Sequence, residues 1–123
     1  MAALSQTAKS MHIESEDIGT GLRHIVLAGR MDVAGTELIA SRFSALTAQP
    51  QRVVLDLRQV DFLASIGIHA IISNARAQVE RGGRMVLLVG ANAAVTKALH
   101  VTGIDALLPL HANLAEATQA ALA

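Results

Sequence analysis

Two short runs, "RVVLDL" at 52–57 and "MVLLVG" at 85–90, constrain the fold of this chain more than any other feature. Both are aliphatic and β-branched and neither opens on a water-facing alternation, the pattern of central strands covered on both faces. Between them the period changes. Ile68, Ile71, Ile72, Ala75 and Val79 recur at i, i+3, i+4, i+7 and i+11, one apolar stripe of a helix that opens at Ser65. Ser65, His69, Ser73, Arg76 and Glu80 form its polar face, and "RGGR" supplies the positive-φ residues that end it. A strand, a crossover helix and a second strand require a sheet with helices packed on it, its later strands parallel.

The rest of the chain extends that unit. "MHIESEDI", "GTG" and "LRHIVLAG" read as a hairpin around a turn in which Gly19 and Gly21 adopt positive φ. After "GRMD", Val33, Leu38, Phe43 and Leu46 take helical spacing as far as Pro50. Asn92 can cap "AAVTKALHVTG", with Val95 and Leu99 inward and Gly103 as the stop; "IDALLPL" then reads as a short strand and "NLAEATQAALA" as a final helix. The expected order is ββαβαβαβα, a mixed α/β sheet with an N-terminal hairpin. Residues 11–123 are expected to form a single domain and residues 1–10, small and without period, a loosely held tail.

Composition narrows the function classes. Ten Lys and Arg balance ten Asp and Glu, so no net field draws the protein onto nucleic acid or an anionic membrane. Trp and Tyr are absent and Phe43 and Phe62 are the only aromatics, too few for base-stacking platforms. Without cysteine there is no disulfide, thiolate catalysis or Cys-based zinc site. No apolar run is long enough for a membrane span or a signal h-region, and the reading is a cytoplasmic protein.

"FLASIGIHAII", residues 62–72, holds the main candidate site. Ser65 follows a strand and opens a helix, where free amide hydrogens and the positive end of the dipole converge. The simplest reading is an N-cap; the same place also tolerates a phosphate. "ASIG" repeats the second half of the G-x-S-x-G nucleophile elbow, and Asp61 and His69 flank Ser65 at four residues on either side. That elbow takes its His from a separate, later loop, which makes a hydrolase the weaker reading. His12, His24, His100 and His111 show no metal-ligand spacing, and no phosphate loop is present, so no cofactor or metal is expected. Asp32 and Asp56 read as a turn former and a strand-end residue.

Three segments together resemble the STAS domain, and in particular the stand-alone anti-sigma factor antagonists of bacteria. "VLAGRMD" is similar to the family's L-x-G-x-hydrophobic-D; "VVLDLRQVDFLASIGIHAII" to its hydrophobic-D-L-x-x-V-x-F-[DAS]-S-x-G-hydrophobic segment; and "RGGRMVLLVGANAAVTKALHVTGID" to its G-G strand, helix and T-G close. The resemblance spans nearly the whole chain from Met11 and implies the element order given above. It also implies a phosphorylation-controlled binding module, not an enzyme, that captures a serine-kinase anti-sigma factor of the ATPase-domain type and frees a sigma factor, with a PP2C-like phosphatase resetting it. Carried over residue by residue, Ser65 is the phosphoacceptor, Ile66 stands at the second hydroxyl position, Gly67 matches the glycine, and Ala64 replaces the motif's Asp.

The expected docking face comprises Asp32, Asp61, Ala64, Ser65, Ile66, Gly67, His69 and Arg76. A second reading keeps the fold and drops the switch: a phosphorylation-independent STAS scaffold or ligand-sensing module. Oligomeric state is open at this level.

Overall fold

The computed structural model describes residues 11–123; the expected tail at 1–10 lies outside the described residues. Five strands form one sheet in sequential order: β1 (His12–Gly19), β2 (Leu22–Met31), β3 (Arg52–Leu63), β4 (Arg84–Leu88) and β5 (Leu110–His111). β1 and β2 are antiparallel, and every later pairing is parallel. Helices α1 (Val33–Ala48), α2 (Ser65–Glu80), α3 (Ala93–Val101) and α4 (Leu114–Leu122) complete the expected ββαβαβαβα order.

The sheet divides two cores. Val53, Leu55 and Leu57 of β3 pack with Ile39 and Phe43 of α1, Ile68, Ile71 and Ala75 of α2, and Val95 and Leu99 of α3. On the opposite face Val54, Val86 and Leu88 meet Ala117 and Ala121 of α4. A strand buried on both faces has no solvent side to mark by alternation, which is why "RVVLDL" and "MVLLVG" read as continuous apolar runs.

β3 runs six residues past the expected Leu57. Its pairing with β2 slips twice, between Val26/Ala28 and Gly29/Arg30, so residues of β3 are bulged out of register. Inward positions therefore fall at Leu57, Val60 and Leu63 rather than at every second residue. β4 pairs only as far as Asp56, and the overhang's carbonyls find another donor. Asn92 Nδ2 donates to Leu57, Arg58 and Val60 O at 3.1, 3.3 and 2.8 Å, while Asn92 Oδ1 accepts from Val95 N as the cap of α3.

Other expectations are corrected. "IDALLPL" is a 3-10 turn (Ile104–Ala106) followed by a strand of two residues, because Ile104 turns inward to the core after the left-handed Gly103. Val33 and Leu38 are exposed, and α1 buries Thr36 and Thr47 beside Ile39 and Phe43. Val79 is also exposed, whereas Gln78 is fully buried and donates from Nε2 to Pro50 O at 3.0 Å. Of the two turn glycines only Gly21 has positive φ, of 72°; Gly19 does not.

Candidate functional site

Ser65 is the first residue of α2, not its cap. Ala64 holds the extended N-cap position at φ −85°, and no side-chain cap bond is made. Ala64 N donates to Met31 O at 3.1 Å, tying this end of the helix to the end of β2, and Ile68 N returns to Ala64 O at 3.1 Å. Helix geometry leaves the amides of Ser65, Ile66 and Gly67 without intrahelical acceptors. No acidic residue in the first turn offsets their partial positive charge. The Ser65 side chain is exposed, so its hydroxyl is offered to solvent at the positive end of a sixteen-residue helix.

Gly67 is buried for a packing reason. A Cβ there would stand 2.7 Å from Met31 Cγ and 2.9 Å from Met31 O, so the first turn of α2 sits on β2 only because position 67 has no side chain. Gly67→Ala should push that turn outward and cost about 1–3 kcal/mol, read as a lowered urea midpoint at unchanged slope. An unchanged midpoint would refute this role.

Beside Ser65 runs a groove of about 520 Å³ lined by residues that include Asp61, Phe62, Ala64, Ser65, Lys97 and Val101. Phe62, Ile66 and Val101 are exposed apolar side chains. Arg30, the register partner of Phe62 on β2, stacks over its ring with the guanidinium carbon 4.5 Å from the centroid.

The expected docking residues are partly brought together. Asp61, Ala64 and Ser65 line one groove, with Ile66 exposed next to them. His69 and Arg76 continue the exposed stripe of α2. Arg76 lies eleven residues from Ser65, about 16 Å along the helix axis. It lines a different, apolar groove with Ile72, Val79, Leu107 and Leu108. Asp32 caps α1, accepting from Gly35 N at 2.8 Å. That amide, helped by Arg30, holds the Asp32 carboxyl below its ordinary value. The histidine–carboxylate pairs among the described residues are His24–Asp56 and His100–Asp105, neither of which includes Ser65 or His69. Among the described residues no cluster of three His, Asp or Glu could hold a metal, and no helix is long and apolar enough to cross a membrane.

The sequence reading missed Arg30, Lys97 and the whole role of Asp56. Lys97 lines the Ser65 groove from α3, an element remote in sequence, and only strand register places Arg30 of β2 on Phe62, itself a lining residue.

The STAS domain model matches residues 15–117, which runs from within β1 through β2 to β5 and α1 to α3 to the start of α4. The chain belongs to the STAS family. Three solved structures show the same STAS fold. An anti-sigma-factor antagonist (STAS) domain protein from Planctomyces limnophilus is 27% identical, with a TM-score of 0.76 over 90% of this chain and 98% of that one. An anti-sigma factor antagonist from Mycobacterium paratuberculosis is 24% identical, with a TM-score of 0.83 over 94% and 97%. The Bacillus cell fate determinant SpoIIAA in its phosphorylated form is 18% identical, with a TM-score of 0.66 over 88% and 97%. No curated protein matches this STAS domain.

Proposed function

We propose that this STAS domain is an anti-sigma factor antagonist, a regulatory binding module rather than an enzyme, switched by reversible phosphorylation of Ser65. The observation that carries the reading is the placement of Ser65: an exposed hydroxyl at the first position of an uncapped helix, flanked by the exposed apolar Phe62 and Ile66. Like the relatives named for anti-sigma factor antagonism, it would act by occupying a partner. That partner is an ATPase-domain serine kinase, which binds the unmodified face around Asp61, Ser65 and His69. The kinase transfers the γ-phosphoryl of ATP to Ser65 Oγ with loss of the hydroxyl proton and release of ADP. A PP2C-like phosphatase hydrolyses the ester and restores the serine. Captured by the antagonist, the kinase releases its sigma factor; phosphorylated, the antagonist lets the kinase go.

Intact-mass and phosphopeptide analysis of the protein from its own cells, in growth and under stress, tests this. A phosphate on Ser65 whose occupancy changes with condition is the expected result. Its absence throughout, with the peptide well observed, would overturn the switch. The alternative is then a phosphorylation-independent scaffold or ligand-sensing module, favoured by Ala64, which puts no carboxylate beside Ser65, and by the apolar groove of about 340 Å³ along the far half of α2.

A further inference from the structure

Arg30 is held loosely by what it touches. Its Nε reaches an Asp32 oxygen at 3.4 Å, a long contact to a carboxylate already accepting from Gly35 N. Its other contact is the Phe62 ring, and a stacked cation that remains half-exposed gains little from the ring. A guanidinium carries five donors in a planar fork, and the Asp32 contact uses only Nε.

Phe62 lines the groove that Ser65 opens onto. The three residues from Phe62 to Ser65 span at most about 10 Å of chain, a gap that a long arginine side chain and a phosphoryl group can close from opposite ends. Arg30 borders this groove only through Phe62; the cation that lines it is Lys97, a point charge on α3, and the carboxylate that lines it is Asp61. Of the two cations, Arg30 alone has the fork that grips phosphate through two parallel bonds, and such a grip is stronger than an exposed stacked contact.

We propose that Arg30 reads the state of Ser65: it covers the Phe62 ring in the unmodified protein and leaves the ring for a phosphate on Ser65. The inference rests on Ser65 being the phosphoacceptor. Modification then alters the docking face twice, adding an anion at the start of α2 and stripping the cation from the aromatic ring. A partner that docks on the Arg30–Phe62 stack loses both features at once.

Phosphoserine genetically encoded at position 65 of the full chain tests the geometry without the natural kinase. Phosphorus NMR should give the phosphoserine a second pKa about one unit lower in the parent than in Arg30→Gln, because a paired guanidinium favours the dianion. Asp32, Asp61 and Lys97 face the same region and stay constant in this comparison. Phe62 ring-proton shifts should move on phosphorylation in the parent and much less in Arg30→Gln. Lys97→Gln should move the pKa less than Arg30→Gln does, and Arg30→Lys should restore only part of it. Equal pKa values in the parent and Arg30→Gln, or a larger effect of Lys97→Gln, would overturn the proposal. Those results leave the Ser65 switch untouched, whereas absence of phosphate in cells removes the switch and leaves the Arg30 result standing.

Discussion

Phosphorylating Ser65 should weaken capture of the proposed ATPase-domain kinase about a thousandfold and leave the melting temperature within a few degrees of the unmodified protein. The two effects separate because the phosphate meets different surroundings in each state. In the free domain it stands at the solvent-exposed first turn of α2, open to water and to the proposed grip of Arg30, where the open amides of Ser65, Ile66 and Gly67 favour an anion by about 0.3–1 kcal/mol. Nothing in the core has to move, since Ser65 is exposed and the packing of that turn depends on Gly67 and Met31. In a complex the same group, with about −1.5 to −2 charges, is buried against a surface shaped for a hydroxyl between Phe62 and Ile66. A single guanidinium does not match the whole of that charge, and burying the remainder with no cation on the partner costs several kcal/mol; about 4 kcal/mol is a thousandfold in affinity. Ser65→Glu, with one charge and a shorter reach, should lose about tenfold, and Ser65→Ala should bind as the parent does. Calorimetry against each ATPase-domain serine kinase of the same genome, paired with thermal melts, measures both quantities. If phosphoserine and alanine at position 65 bind the kinase equally well, the switch is wrong.

How much of this could be read from the sequence depended on how local each determinant is. The order of strands and helices was legible because "RVVLDL", "MVLLVG" and the Ile68–Ile71–Ala75 stripe are each set by burial within one element. Ser65 was legible as a helix start, but one residue of offset changed its chemistry: Ala64 is the cap, so the Ser65 oxygen is not committed to a backbone amide. The end of β3 was not legible, since its bulges break the two-residue period and inward positions at Leu57, Val60 and Leu63 mimic helical spacing. "IDALLPL" failed for a related reason. Its apolar residues serve a turn in which Ile104 plugs the core and Leu107 stays exposed. Arg30 on Phe62 and Asn92 on the β3 carbonyls depend on register and bulge geometry between segments about thirty residues apart, which no single-chain pattern encodes.

Asp56 was the largest misreading, and its removal should be the most destabilising polar substitution among the described residues. Because β3 continues to Leu63, Asp56 is not a strand end; its side chain is 1% exposed, on the sheet face covered by α4. Burial alone would raise its carboxyl, but the Arg58 guanidinium, the Arg58 amide and His24 outweigh burial and hold it below its ordinary value of 3.8. The contacts are short: Arg58 Nη2 at 2.8 Å, Arg58 Nε at 3.0 Å and His24 Nε2 at 2.9 Å. Asp56→Ala leaves His24, itself only 15% exposed, without its acceptor and opens a void beside Leu88. Breaking a buried pair in this way costs about 3–5 kcal/mol. The lower end applies here, because Arg58 is 43% exposed and can turn to water. Urea unfolding at pH 7 should show that loss, and a change under about 1 kcal/mol would show the cluster to be dispensable. The acid side gives a second test. A carboxyl held below its unfolded value contributes its full stability above pH 4, and that contribution fades as pH falls through the lowered folded value. Asp56→Asn keeps the shape without the charge, so the gap in unfolding free energy between it and the parent should be widest near neutrality and close below about pH 4. A gap that stays constant down to pH 3 would mean that shape and packing, rather than the ionised carboxylate, hold His24 and Arg58 in place.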